Sequence, residues 1–212
     1  MQFQQDVSIV AENGQEVGHI DRVVVDPQTK VVTHIVVRKG FLFKEERVVP
    51  IALIAEATED RITLRADAGD LEALPPFEEK HYVQPEGGTA PTSSPSGLAP
   101  SLYGPSPLGG VPGASLPDER YIAQIEQNIP EGTIAMKEGA KAITTEGKHV
   151  GNVERVFTDS PEERATHLLI SKGLLSKERK LIPITWVTIM GEDEVHLAVK
   201  EEALADLGVY QS

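Results

Sequence analysis

The chain contains no cysteine, which removes disulfides, thiol nucleophiles and thiolate metal sites from its chemistry. Aromatic residues make up only 5% of it, so any core must rest on branched aliphatics. No segment approaches the ~20 consecutive apolar residues of a membrane-spanning helix. The opening Met1-Gln2-Phe3-Gln4-Gln5-Asp6 also lacks the basic start and apolar run of an export signal. The expected setting is cytoplasmic, without a membrane span. Positive charge is scarce as well: 20 Lys and Arg stand against 33 Asp and Glu, a formal charge of −13. Direct nucleic-acid contact is thereby disfavoured, because phosphate binding draws on Lys and Arg displacing counterions.

What the chain does have is an internal repeat. The stretch Gly14 to Leu74 returns without a gap as Gly147 to Leu207 at a constant offset of 133 residues. Under that offset Gly14, Gly18, Arg22, Asp26, His34, Lys39, Gly40, Lys44, Pro50 and Leu71 each meet an identical residue. A length of 212 residues admits one large domain or two small ones, and the repeat decides for two. Each copy carries six more acids than bases, so neither supplies a compensating basic half.

The first copy reads as short strands with tight connections. Asp6–Val10 is a strand ending at Glu12-Asn13-Gly14-Gln15, where Asn-Gly supplies the positive φ angles of a hairpin turn. Glu16–Val25 returns, and its apolar phase changes just after Gly18, which points to a bulge or sharp bend. Asp26-Pro27-Gln28-Thr29 suits a type I turn. Val31–Lys39 is apolar on both parities, so both its faces should be covered. Gly40 breaks it, Arg47–Val49 resumes until Pro50, Ile51–Glu56 is a short strand or 3₁₀ turn, and Arg61–Arg65 is the last strand. Five or six such strands suggest a small barrel. Asp67 can cap a helix over Ala68–Leu74, repeated as Ala203–Leu207 and stopped at Gly208, with Leu71, Leu74, Leu204 and Leu207 plugging the barrel ends.

The fold class is therefore mainly β: two small barrels, each with a short C-terminal helix, joined by a disordered linker. The first domain covers 1–83 and the second 118–212. Between them, residues 84–117 hold eight prolines, seven glycines and six serines with one charge, Glu86. Such a segment cannot bury enough surface to fold and reads as a mobile tether. The spacing of Ile122 and Ile125 predicts a short lead-in helix over Asp118–Gln127.

No arrangement of residues spells out a reaction. His34 and His167 share a register and could form a pH-sensitive or metal-binding pair, but two ligands on separate domains make no site, and a structural histidine satisfied by a backbone carbonyl is favoured. Glu59-Asp60 and Glu192-Asp193-Glu194 fall in turns, where carboxylates are normally solvated, and no calcium-loop spacing accompanies them. Trp186 replaces Leu53 of the first copy and reads as core. No catalytic, metal or cofactor site is assigned. The loops Lys39 to Glu45 and Lys172 to Glu178 set apolar residues between lysines, which suits either a partner patch or a cap on the barrel end. The candidate partner contacts are Phe41, Leu42, Phe43, Lys44, Leu174, Leu175 and Lys177.

Gly14-x-x-x-Gly18-x-Ile20-x-x-Val23, the Lys39-Gly40 loop closing at Val49-Pro50-Ile51, and the tail Leu74-Pro75-Pro76-Phe77-Glu78-Glu79-Lys80-His81-Tyr82-Val83 resemble the PRC-barrel family. Gly147-x-x-x-Gly151-x-Val153-x-x-Val156 and Asn128-Ile129-Pro130-Glu131-Gly132 carry the same resemblance in the second copy. That family includes the cytoplasmic domain of the photosynthetic reaction centre H subunit and the C-terminal domain of RimM-type ribosome maturation factors. The resemblance implies small barrels that bind other proteins and do no catalysis. It leads to the expectation of a tethered, bivalent adaptor or scaffold with protein partners and possible self-association. A ribosome-maturation or RNA-processing accessory factor and a soluble accessory of a photosynthetic complex are the alternatives.

Overall fold

A computed structural model describes residues 1–4, 7–40, 45–58, 60–66, 71–83, 122–137, 139–159, 161–173 and 178–210. Residues 1–79 and 127–212 make one compact unit and 80–126 a second. β8 (Glu78–Val83) and β9 (Ile122–Gln127) form a two-stranded sheet that accounts for the described residues of the second unit, 80–83 and 122–126. The lead-in helix expected over Asp118–Gln127 is thus corrected: its described residues are strand. Isoleucine at 122 and 125 matches the helical i, i+3 spacing and not strand alternation, but so short a helix gains too few bonds to offset its nucleation, whereas a neighbouring strand satisfies the backbone directly.

In the first unit each copy builds one six-stranded, strongly bent sheet. The first runs β5 (Glu45–Pro50), β4 (Val32–Lys39), β3 (Glu16–Val25), β2 (Ser8–Val10), β7 (Arg61–Leu64), β6 (Ile54–Ala57). A 3₁₀ turn, Ile51–Leu53, leads from one end of that order to the other. The second repeats it as β14 (Glu178–Pro183), β13 (Arg164–Lys172), β12 (His149–Asp159), β11 (Lys141–Ile143), β16 (Glu194–Leu197), β15 (Val187–Met190). β2 lies parallel to β7 and β11 to β16, while the other pairs within these sheets are antiparallel. The architecture is mainly β, as its strand signals imply.

The bend has a specific cause. β3 pairs with β2 at its start and with β4 beyond, and Gly18 sits at the change with φ +156°. A Cβ there would stand 2.6 Å from the Arg38 carbonyl oxygen; at the equivalent Gly151 it would stand 2.8 Å from that of Ser171. Only glycine lets the neighbouring strand approach so closely.

Two strands cross between the copies. β1 (Gln2–Gln4) pairs with β12 of the second copy, Phe3 opposite Val156, and β10 (Ile134–Lys137) pairs with β3 of the first, Met136 opposite Val23. Adding 133 to Phe3 and Val23 gives Met136 and Val156, so the exchange is reciprocal. A third contact lies on the same pseudo-two-fold axis: Val31 bridges Arg164, its own equivalent, with Val32 N–H donating to the Glu163 carbonyl (2.9 Å) and Ala165 N–H to that of Lys30 (2.7 Å). Lys30 and Glu163 both hold positive φ, 62° and 50°. This conformation is costly for residues bearing a Cβ, and at both sites the adjoining carbonyl takes part in a bond across the seam. One hydrophobic core accordingly runs through both copies, with Phe3, Ile9, Ile20, Met136, Val153, Val156 and Leu168 among its members.

The C-terminal elements differ between the copies. The second has a helix, α1 (Glu201–Ala205), whereas the described part of the first is only a 3₁₀ turn, Leu71–Ala73. Residues 67–70 of the expected Ala68–Leu74 helix, with its Asp67 cap, lie outside the described residues. Leu71 and Leu204 are buried, and Leu74 and Leu207 pack partly exposed against the same core. Trp186 also packs there, partly buried. Among the described residues no helix is long and apolar enough to cross a membrane.

Candidate protein-interaction site

The seven residues singled out as partner contacts, Phe41, Leu42, Phe43, Lys44, Leu174, Leu175 and Lys177, all lie outside the described residues. Their anchors are described. Lys39 pairs in register with Glu45 and Lys172 with Glu178, so each loop joins two adjacent antiparallel strands. Gly40 and Gly173 open the loops at φ 83° and 102°. Beside the second loop lies a half-open hollow of about 170 Å³, with Val150, Ile170 and Leu204 on its wall and Lys172, Lys180, Glu178 and Glu201 around them. Its charges hold one another: Lys180 Nζ donates to the Leu204 carbonyl (2.6 Å), and Glu201 accepts from Lys148 (3.0 Å). The hydrogen bond with Glu201 raises the Lys148 pKa and lowers that of Glu201.

Ion pairs form within each copy and, through Arg22 and Glu192, between the two. In the first copy Arg38 donates to Asp21 (3.0 Å), Arg22 reaches Asp21 (3.3 Å) and Glu192 (3.3 Å), and its guanidinium lies 4.7 Å over the Phe77 ring. In the second, the buried Glu154 is held by Arg179 at 2.6 Å and 3.2 Å. The equivalents of Arg38 and Glu46 are Ser171 and Arg179, so the cation that answers the central carboxylate has moved from β4 to β14. Glu46 remains in the first copy without that exchange. Burial, and then the charge of Asp21, raises its pKa above the ordinary carboxylate value.

Glu192 accepts from Arg22 and Gln127, and Asp193 from Lys137 (2.9 Å). Both carboxylates therefore act in pairing and are not simply solvated. No group of three or more potential metal ligands occurs among the described residues. His34 and His167 sit in different sheets, each opposite a proline, Pro50 and Pro183. The carbonyl partner expected for a structural histidine is absent at His34 Nδ1, which is buried with no hydrogen bond. Burial lowers the His34 pKa, favouring the neutral ring.

The outer faces of the two sheets are unlike. On the first, Val24, Val36, Val48, Phe77 and Ala135 form a separate buried cluster, with Ile129 packed against it. Asn128 fixes that cover by donating its backbone N–H to the Phe77 carbonyl and its side-chain amide to that of Pro76, both at 2.9 Å. The register equivalents on the second copy are Phe157, Leu169, Leu181, Tyr210 and Gln2. Of these only Leu169 is buried; Phe157, Leu181 and Tyr210 stay partly exposed, and the Phe157 and Tyr210 rings meet edge to face at 6.0 Å.

Two β-sheets of one repeated strand order, packed around a common core, define a class of small tandem β-barrels. The PRC-barrel domain model matches residues 5–71 and again 138–204, and the chain belongs to the PRC-barrel family. A search of curated proteins finds no match. The exchanged strands β1 and β10 fall just before the two matched spans.

Sequence reasoning missed those strands and the outer face. A three-residue Gln-Phe-Gln strand has no period to detect. The available signal was the 133-residue offset continued upstream of Gly14, where Phe3, Val7 and Ile9 meet Met136, Ala140 and Ala142, all of them buried.

Proposed function

We propose that this protein is a non-catalytic interaction scaffold, in which two PRC-barrels present paired surfaces from one pseudo-symmetric body to protein partners. The observation that carries the reading is the reciprocal exchange of β1 and β10, which joins the two family domains through a shared core. Paired sites on such a body raise apparent affinity for a partner with two matching epitopes by effective concentration, and they do so without relying on the length of the 84–117 segment. The loops 41–44 and 174–177 are proposed contacts, since their apolar residues sit between lysines at the ends of paired strands.

The test is affinity capture from host lysate with the full chain and with a variant carrying serine at 41, 43, 174 and 175. The scaffold reading expects specific proteins to be enriched by the parent and lost by the variant at unchanged melting temperature. Equal enrichment by both removes the loops from the account, and no enrichment over a control protein removes the scaffold itself.

A further inference from the structure

The duplication shows what an occupied outer face looks like, because among the described residues the face of the first copy is buried and that of the second stays partly exposed. In the first copy the cover is a short segment of the chain, Gln127 to Pro130. It brings a hydrogen-bonding amide at Asn128 and a β-branched aliphatic at Ile129, and beneath it Val24 and Phe77 are fully buried. In the second copy the same register positions hold larger and more polarizable side chains, Phe157 and Tyr210, which nevertheless stay partly exposed. The described residues there form no cluster corresponding to the one under Ile129. The anchor backbone is duplicated as well. Phe77 N–H donates to the Glu46 carbonyl (2.9 Å) and Tyr210 N–H to the equivalent Arg179 carbonyl (2.8 Å), so Val209 and Tyr210 run along β14 as Pro76 and Phe77 run along β5. The carbonyls of Val209 and Tyr210 therefore occupy the register positions from which Pro76 and Phe77 receive Asn128. Val209 itself is 57% exposed, an apolar residue at the rim of this face.

We infer that the outer face of the second barrel, built on Phe157, Leu181 and Tyr210, is a docking site for a short segment of a protein partner. That segment has the chemistry of the first copy's own cover: an amide side chain followed by a branched aliphatic and proline. The partner's amide bonds to the Val209 and Tyr210 carbonyls, and its aliphatic side chain packs on the outer side of the paired Phe157 and Tyr210 rings, beside Leu181. Apolar anchoring with a few backbone bonds is a common mode of extended-peptide recognition. This site rests on the scaffold reading and gives it a surface that the loops do not.

The probe is a synthetic peptide with the sequence of residues 126–132, Glu-Gln-Asn-Ile-Pro-Glu-Gly, titrated into the isotope-labelled full chain and followed by NMR. Saturable shifts at Phe157, Leu181 and Tyr210 are expected. Replacing the peptide's isoleucine by serine, or using the Leu181→Glu chain, should weaken binding by about tenfold or more, as loss of one buried anchor implies. Folding of the Leu181→Glu chain is checked by its unshifted core resonances, and Tyr210→Ala provides a second, less disruptive variant. The inference is overturned by three results: no shifts at the face, shifts that follow protein concentration and so mark a second copy of the chain, or shifts that appear on deleting 88–116 and so mark the chain's own linker as occupant. If the peptide fails while lysate partners are still enriched by the parent chain, the docking site falls and the scaffold reading stands.

Discussion

Phe3 offers the sharpest perturbation of the exchanged architecture. It sits on a strand of only three residues, yet its side chain is 1% exposed, because β1 is seated against Val156 of the other copy. Burying a phenylalanine removes ~150 to 250 Å² from water, worth ~4 to 6 kcal/mol at ~25 cal/mol/Å². Measured phenylalanine-to-alanine losses in cores run ~3 to 5 kcal/mol. A three-residue strand relaxes more readily than a long central one, so about 3 kcal/mol, the low end of that range, is expected for Phe3→Ala. With a urea slope of ~2 kcal/mol/M, the midpoint falls by ~1.5 M. Trp186, the single tryptophan, reports from the second copy. Its fluorescence should record the full shift although the substitution is in the first copy's opening strand, and far-UV circular dichroism should show the same midpoint. A tryptophan transition unmoved by Phe3→Ala, or a loss below ~0.5 kcal/mol, would refute the placement of β1.

Three further outcomes follow from the geometry. Gly151→Ala sets a Cβ 2.8 Å from the Ser171 carbonyl at a φ of +151°, and thermal unfolding should show a loss of ~2 kcal/mol from backbone strain. Arg179→Met leaves Glu154 buried and unpaired; since Arg179 is about one-third exposed, denaturant titration should show ~2 kcal/mol rather than the 3 to 5 typical of fully buried pairs, and adding Glu154→Gln should recover most of it. Glu46 has its pKa raised chiefly by burial and next by Asp21. Its stabilising contribution is complete below the ordinary carboxylate pKa and lost as pH rises through the raised one. Glu46→Gln should therefore raise the melting temperature at pH 7 and bring no gain at pH 4; an equal gain at both would contradict the assignment.

Local chemistry made much of the fold readable. Asn13-Gly14 and Asp26-Pro27 mark turns whatever surrounds them, and Gly18 announced its bend because the apolar parity changes beside it. The two-parity strand around Ile35, Val36 and Val37 implied cover on both faces; all three are fully buried, Ile35 and Val37 in the main core and Val36 under the second layer. What stayed hidden depends on distant partners. Gln2-Phe3-Gln4 is a strand only because Arg155, Val156 and Phe157 lie beside it. Ile122–Gln127 reads as helix or strand until β8 supplies its partner. The outer face was illegible for a related reason: Phe157 matches a valine in the first copy, and only the coordinates show one covered and the other partly open.

The central claim is that both copies fold around one seam, and the absence of cysteine makes it directly testable. Val31 and Arg164 form a non-hydrogen-bonded antiparallel pair across the pseudo-two-fold axis. The Cα separation of such a pair, ~4.5 Å, is within disulfide reach. In the Val31→Cys, Arg164→Cys variant, mild oxidation of dilute protein should give complete disulfide formation within single chains, seen as a faster-migrating monomer on non-reducing gels with the two thiols lost together. Thiols that stay free in the folded protein, or join only between chains, would contradict the shared seam.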